Sequence, residues 1–180
     1  KLDNLNQAKT YFRQVIDSTT QGDVKIKALT QMADALADSG KMEEALTIYD
    51  SVLKTFVDNP MKDYVMHRQG VVLMKIGKVQ EALQVFDLLK KEHPQSHYLE
   101  DLNYYLGIAA FRNNNFRESR EKIEQYIKSN NHSDSFMAEA NYILAVSYLN
   151  LKLPEDALKI FQKILRLYPE DQNVARNSDV

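Results

Sequence analysis

Gly77-Lys78-Val79-Gln80-Glu81-Ala82-Leu83-Gln84-Val85-Phe86 places a small residue, Ala82, four positions ahead of a large one, Phe86, and a glycine five positions before the small one. Val79, Ala82, Leu83, Phe86 and Leu89 recur at intervals of three and four, the spacing that gathers side chains on one face of a helix. The small-then-large pair returns on both sides: Ala8 with Phe12, Ala45 with Tyr49, Ser119 with Ile123, Ala157 with Phe161. Consecutive anchors stand 37, 37, 37 and 38 residues apart. Self-similarity at a fixed period outranks local propensity, and here it predicts a stack of like units.

Two further marks keep the same register. Twelve residues before each of the last four anchors stands another small residue, Ala33, Gly70, Gly107 or Ala145. Small residues there and at the anchors let paired helix backbones approach closely while the large residue wedges between units. Five residues before the same anchors come Gly40, Gly77, Asn114 and Lys152, where a helix must end in a left-handed residue. Glycine and then asparagine suit that backbone best; Lys152 departs, and Pro154 restarts the chain as a first-turn proline.

Each unit is therefore two helices, predicted over 3–19, 23–38, 42–57, 61–76, 79–92, 97–112, 116–129, 134–150 and 155–168. The expected fold is all-α, a right-handed α-solenoid of stacked antiparallel helix hairpins, forming one domain over 1–180. Its parts are a second helix of a truncated repeat at 1–21, hairpins at 22–59, 60–95, 96–132 and 133–169, and the start of a further helix or tail at 170–180. Lys1 is no initiator methionine, and Leu5, Ala8, Phe12 and Val15 begin a helical pattern with no partner segment before it. The expectation is a piece of a longer protein.

Composition bounds the function. With 180 residues, 44% of them hydrophobic, the chain can bury a core. A formal charge of −2 with basic and acidic residues interspersed gives no basic face for nucleic acid. The absence of cysteine removes disulfides, thiol catalysis and thiolate metal sites but leaves the compartment open. No apolar run approaches the roughly 20 residues that span a bilayer, so no membrane insertion is expected of this segment.

Leu106-Gly107, Tyr148, Ala82 with Phe86, Ala157 with Phe161, Pro94 and Pro169 together resemble the tetratricopeptide repeat family, whose pattern is Leu-Gly, an aromatic, Ala-x3-Phe and then Pro. The resemblance runs from about Asp3 to Pro169. Two features depart from it. The family's signature tryptophan is replaced by Leu29, Met66, Asn103 and Asn141, and the period exceeds the usual 34 or so residues. The excess falls between Pro94 and Gly107, about three residues longer than usual, which lengthens the connection by roughly 4–5 Å. Pro94-Gln95-Ser96 followed by Tyr104-Tyr105-Leu106-Gly107 is similar to bacterial envelope tetratricopeptide proteins of the TolA-binding and outer-membrane-assembly types. That similarity weights the compartment toward the periplasm, with Ser96 as a helix N-cap.

What the family resemblance implies about a site is a concave groove lined from first helices, 15, 11 and 8 residues before each anchor. Carried over, these positions are Thr30, Asp34 and Ala37; His67, Val71 and Met74; Tyr104, Ile108 and Phe111; Tyr142, Val146 and Leu149, with Tyr64 extending the strip and Lys75 and Arg112 at its edge. The strip reads as apolar and aromatic. The family's clamp for chaperone C-termini needs Lys and Asn where these positions hold Tyr, His, Val and Ile. The expected partner is an amphipathic helix or an apolar extended segment of another protein, at micromolar affinity in order of magnitude. The alternatives are self-association through exposed end helices, a structural module, or a recruitment arm of a larger protein.

Other chemistry finds little footing. His93 and His97 have a chelating spacing, but Pro94 lies between them and no third ligand is evident. Glu43-Glu44 and Glu155-Asp156 stand in first turns, where the helix macrodipole favours negative charge. Asn131-His132-Ser133 satisfies a glycosylation sequon. No phosphate loop, zinc-protease motif or nucleophile elbow occurs, so neither an enzyme nor a cofactor or metal site is expected.

Overall fold

The computed structural model describes residues 2–129 and 136–168, with side chains from residue 7. Among these residues the chain is helical without a strand: α1 Leu2–Ser18, α2 Gly22–Asp38, α3 Met42–Thr55, α4 Lys62–Lys75, α5 Val79–Glu92, α6 Leu102–Arg112, α7 Phe116–Ser129, α8 Met137–Asn150 and α9 Pro154–Leu167. The Asn131-His132-Ser133 sequon, Pro169 and the expected helix start at 170–180 lie outside the described residues.

The four first helices end alike. Gly40, Gly77, Asn114 and Lys152 all have positive φ, at 87°, 81°, 58° and 62°. At each, the left-handed residue donates its N–H to the carbonyl three residues back, and the next residue donates to the carbonyl five residues back. Gly77 donates to Met74 at 3.2 Å, for instance, and Lys78 to Leu73 at 2.9 Å. This double bond satisfies carbonyls that a helix end otherwise leaves without a donor. Lys152 adopts the conformation its side chain disfavours, as Leu153 donates to Tyr148 at 3.0 Å and Pro154 opens α9.

The largest shift of a predicted boundary is at α6. The helix expected over 97–112 is a 3-10 turn at His97–Leu99 followed by α6 from Leu102. Ser96 accepts the N–H of Tyr98 at 3.3 Å and donates to Asp63 at 2.7 Å, so it caps this turn and not α6. The additional residues of the long period are spent here, on a turn that directs Tyr98 back toward α4.

Residues 1–98 and 99–180 form two compact units. In the first, α1 packs on α2, α2 on α3, α3 on α4 and α4 on α5; in the second, α6 packs on α7, α7 on α8 and α8 on α9. First helices also meet directly, α2 with α4 and α6 with α8. The large residue after each anchor fills these contacts: Tyr49, Phe86 and Ile123 are buried, as are Val52, Leu89, Tyr126 and Ile164 three positions further on. Each such side chain contributes about 1.5–3 kcal/mol from burial. The small residues fit them tightly, for a Cβ added at Gly70 would lie 2.3 Å from the Phe86 ring.

Candidate partner-binding site

The strip positions inferred from the family fall on α4 in the first unit and on α6 and α8 in the second, and the helices do not present them equally. On α4, His67, Val71 and Met74 are buried and Tyr64 is half-buried. On α6, Tyr104 and Ile108 are buried, Phe111 is half-buried and Arg112 is exposed. On α8, Tyr142 and Val146 are half-buried and Leu149 is 45% exposed. Burial thus withdraws His67, Val71 and Met74 in the first unit and Tyr104 and Ile108 in the second from the surface, and of these positions only Tyr64, Phe111, Arg112, Tyr142, Val146 and Leu149 are accessible.

Two aromatic side chains, both missed in the sequence, account for part of that burial. Tyr98 stacks on His67 with ring centroids 5.2 Å apart and meets Tyr64 at 5.3 Å. Phe136 stacks on Tyr104 at 4.8 Å, and the Tyr104 hydroxyl donates to Glu139 at 2.7 Å. Such ring pairs add about 0.5–1.5 kcal/mol beyond area burial. Tyr98 and Phe136 each stand 21 residues before an anchor, Ser119 and Ala157, and each covers the ring 15 residues before the previous one. The regular offset was the signal available.

A polar cluster holds the other end of the first unit's strip. Asp34 accepts from the Tyr49 hydroxyl at 2.5 Å, the Tyr64 hydroxyl at 2.8 Å and Arg68 Nε at 2.8 Å, tying α2, α3 and α4 through one carboxylate. Burial raises the pKa of Tyr49 and Tyr64, and their hydrogen bonds to Asp34 raise it further. Burial, followed by the charges of Arg68 and His97, pushes His67 down to about 4, so the ring under Tyr98 is neutral at pH 7.

On α8 the arrangement differs. Tyr142, Val146 and Leu149 follow one helical line, with Tyr142 meeting Phe161 edge-on at 6.3 Å. Phe111 occupies on α6 the register position of Leu149 and meets Phe116 at 5.8 Å. Among the described residues no three His, Asp or Glu side chains converge to hold a metal, and no helix is long and apolar enough to cross a membrane.

A tetratricopeptide repeat model matches residues 30–97 and 104–172, spanning both units. The chain belongs to the tetratricopeptide repeat family. Solved structures of the same fold include a MamA double mutant of strain RS-1, at 22% identity over 95% of this chain and 86% of that one, with a TM-score of 0.67. BtubC from P. vanneervenii aligns at 12% identity over 91% and 72%, with a TM-score of 0.74. YrrB, described as a tetratricopeptide protein with an unusual peptide-binding site, aligns at 14% identity over 99% and 86%, with a TM-score of 0.68. No curated protein sequence matches the chain significantly. The shared fold is an α-solenoid of helix hairpins.

Proposed function

We propose that this tetratricopeptide chain is a protein-interaction scaffold whose second unit takes an apolar or amphipathic segment of a partner along Phe111, Tyr142, Val146 and Leu149, with Arg112 at the edge. The observation that carries the reading is the apolar line on α8, where Tyr142 and Val146 are half-buried and Leu149 is 45% exposed while most of the helix is buried. Apolar side chains in line on a helix face lose unfavourable contact with water when another chain covers them. The YrrB peptide site supports the class of ligand by analogy of fold. No residue pattern in the chain supports catalysis. The envelope setting rests on the Pro94-to-Gly107 junction and is tested by locating the tagged protein after cell fractionation.

The scaffold reading is tested with a photocrosslinking amino acid at Leu149 or Phe111 in the cells that make the protein. The expected result is one discrete protein adduct at both positions, lost with Tyr142→Ala plus Val146→Ala, and absent with the crosslinker at Gln162 on α9. Equal adducts at all three positions, or none, would sink it. A second reading, self-association, is supported by Leu158, Leu165 and Leu167 of α9, which are 58%, 55% and 49% exposed. It requires a concentration-dependent sedimentation coefficient that Leu158→Gln with Leu165→Gln abolishes.

A further inference from the structure

A second groove lies in the first unit, formed by the second helices α3 and α5 over a floor supplied by α4. Its volume is ≈ 700 Å³. Leu46 and Val85 form its apolar walls with Leu88, which is 44% exposed, and Leu73 lies beneath them. The lining residues of α3 run from Glu43 to Lys54 and those of α5 from Glu81 to Leu88, each at three- and four-residue spacing. The trough therefore follows the helix axes for roughly 17 Å, about three turns.

Its charge is one-sided. Lys54 is the single lysine or arginine of the lining, and it is held by Asp50 at 2.6 Å. The other Asp50 oxygen accepts from Gln69 at 2.8 Å. Glu43 and Glu81, at the end where α3 and α5 begin, have side chains with no hydrogen bond or ion pair among the described residues. The corresponding groove positions in the second unit are differently furnished. Where the first has Leu46 and Leu88, the second has Arg120 and Lys163; Arg120 lies 4.0 Å from Glu124, and Lys163 donates to Asn141 at 3.2 Å. Leucines at these two positions, with unpaired carboxylates at one end, are thus particular to the first unit and not a by-product of the repeat.

We propose that the α3–α5 groove is a second docking surface, separate from the strip on α8, and that its occupant is an amphipathic helix carrying leucine-like side chains and a lysine- or arginine-rich end. A helix fits because ridges of its side chains can lie in the trough between two neighbouring helices and over a third. The basic end follows from Glu43 and Glu81, whose carboxylates favour a cation beside them and disfavour an acidic flank. Leu46, Leu73, Val85 and Leu88 supply the burial, and the carboxylates set the direction in which the helix lies.

Three synthetic helical peptides of roughly 12 residues test this, sharing one leucine face and differing only in lysine, glutamine or glutamate flanks. Fluorescence anisotropy should show the lysine-flanked peptide binding about tenfold more tightly than the glutamate-flanked one at low salt, with the glutamine peptide between them. Hydrogen exchange should slow in α3 and α5 and stay unchanged in α8. Glu43→Lys with Glu81→Lys should invert the order of the peptides, and Leu88→Ser should weaken all three by about fivefold; circular dichroism confirms that both variants fold. Equal binding of the three peptides, no binding by any, protection confined to α8, or an order unmoved by the charge reversal would each overturn the proposal.

Discussion

His67, Val71 and Met74 on α4 and Tyr142, Val146 and Leu149 on α8 occupy the same positions of the repeat, yet the first three are buried and the second three keep access to water. On α4 the chain supplies its own cover: Tyr98 lies over His67 and Tyr64, and Asp34 draws in the Tyr64 hydroxyl and Arg68. On α8 apolar side chains at equivalent places keep access to water. The repeat therefore fixes where a strip lies, while side chains outside the core decide whether it is presented. Substitutions in the cover of α4 should act on stability, whereas those on α8 should act on binding.

The largest test of that division is Asp34→Ala against Val146→Ala, which change the same register position in the two units. Removing the carboxylate leaves the buried Tyr49 hydroxyl and the Arg68 guanidinium without their shared acceptor. Breaking a buried charge pair costs 3–5 kcal/mol, and the partial exposure of Asp34 and Arg68, about a fifth each, places this one near about 3 kcal/mol. Val146→Ala removes two methyl groups from a half-buried site and should cost under about 1 kcal/mol. Urea denaturation measures both. Equal costs would mean that the α2–α4 cluster is not what secures the closed strip.

How far the residues alone disclosed this division differs between core and surface. The anchors, the small residues opposite them and the helix-ending positions were legible because close packing and left-handed backbone each admit few side chains, and both repeat. The cover was not. Asp34 was placed on the strip from its register, but nothing local says that Tyr49, Tyr64 and Arg68 will all reach it, since those contacts span 15 to 34 residues. Tyr98 lay inside an expected helix, and a single aromatic there gives no period-3.6 signal that it will turn back onto α4. The long period was legible as an insertion, its purpose only from where the turn at His97–Leu99 directs Tyr98.

An intermediate effect separates the closed strip by pH. His67 has an ordinary value of 6.5 and is held at about 4 in the folded chain, so the unfolded state binds a proton first as pH falls. The stabilisation is complete above pH about 6.5, is lost between there and about 4, and does not decline further below that. The interval corresponds to at most about 3 kcal/mol, and about 2 kcal/mol is expected because the group is not wholly withdrawn from water. His67→Phe keeps an aromatic ring under Tyr98 and removes the proton site. Subtracting its urea-denaturation profile from that of the parent cancels the carboxylates that titrate over the same interval. A flat difference between pH 7 and pH 4 would show that His67 is not shielded as its burial implies.

The smallest effect compares the two glycines on which the hairpins close. A methyl group at Gly70 would stand 2.3 Å from the Phe86 ring, and one at Gly107 would stand 2.5 Å from Cδ1 of Ile123. Both contacts are too short, but they differ in what can yield. Phe86 is a rigid ring, 2% exposed; Ile123 is wholly buried and its Cγ1, beside the β-branch, would also lie 2.6 Å away, so only its Cδ1 tip can yield by changing rotamer. Overpacking costs about 1–3 kcal/mol, and replacing a mid-helix glycine by alanine returns about 1 kcal/mol of backbone entropy. Gly70→Ala should therefore lose about 1–2 kcal/mol net, and Gly107→Ala somewhat less, about 1 kcal/mol, because part of the Ile123 side chain can turn aside. If urea denaturation shows Gly107→Ala to be the more damaging of the two, the tighter constraint lies in the second hairpin, and the open strip beside it is held by a less adaptable core than the closed one.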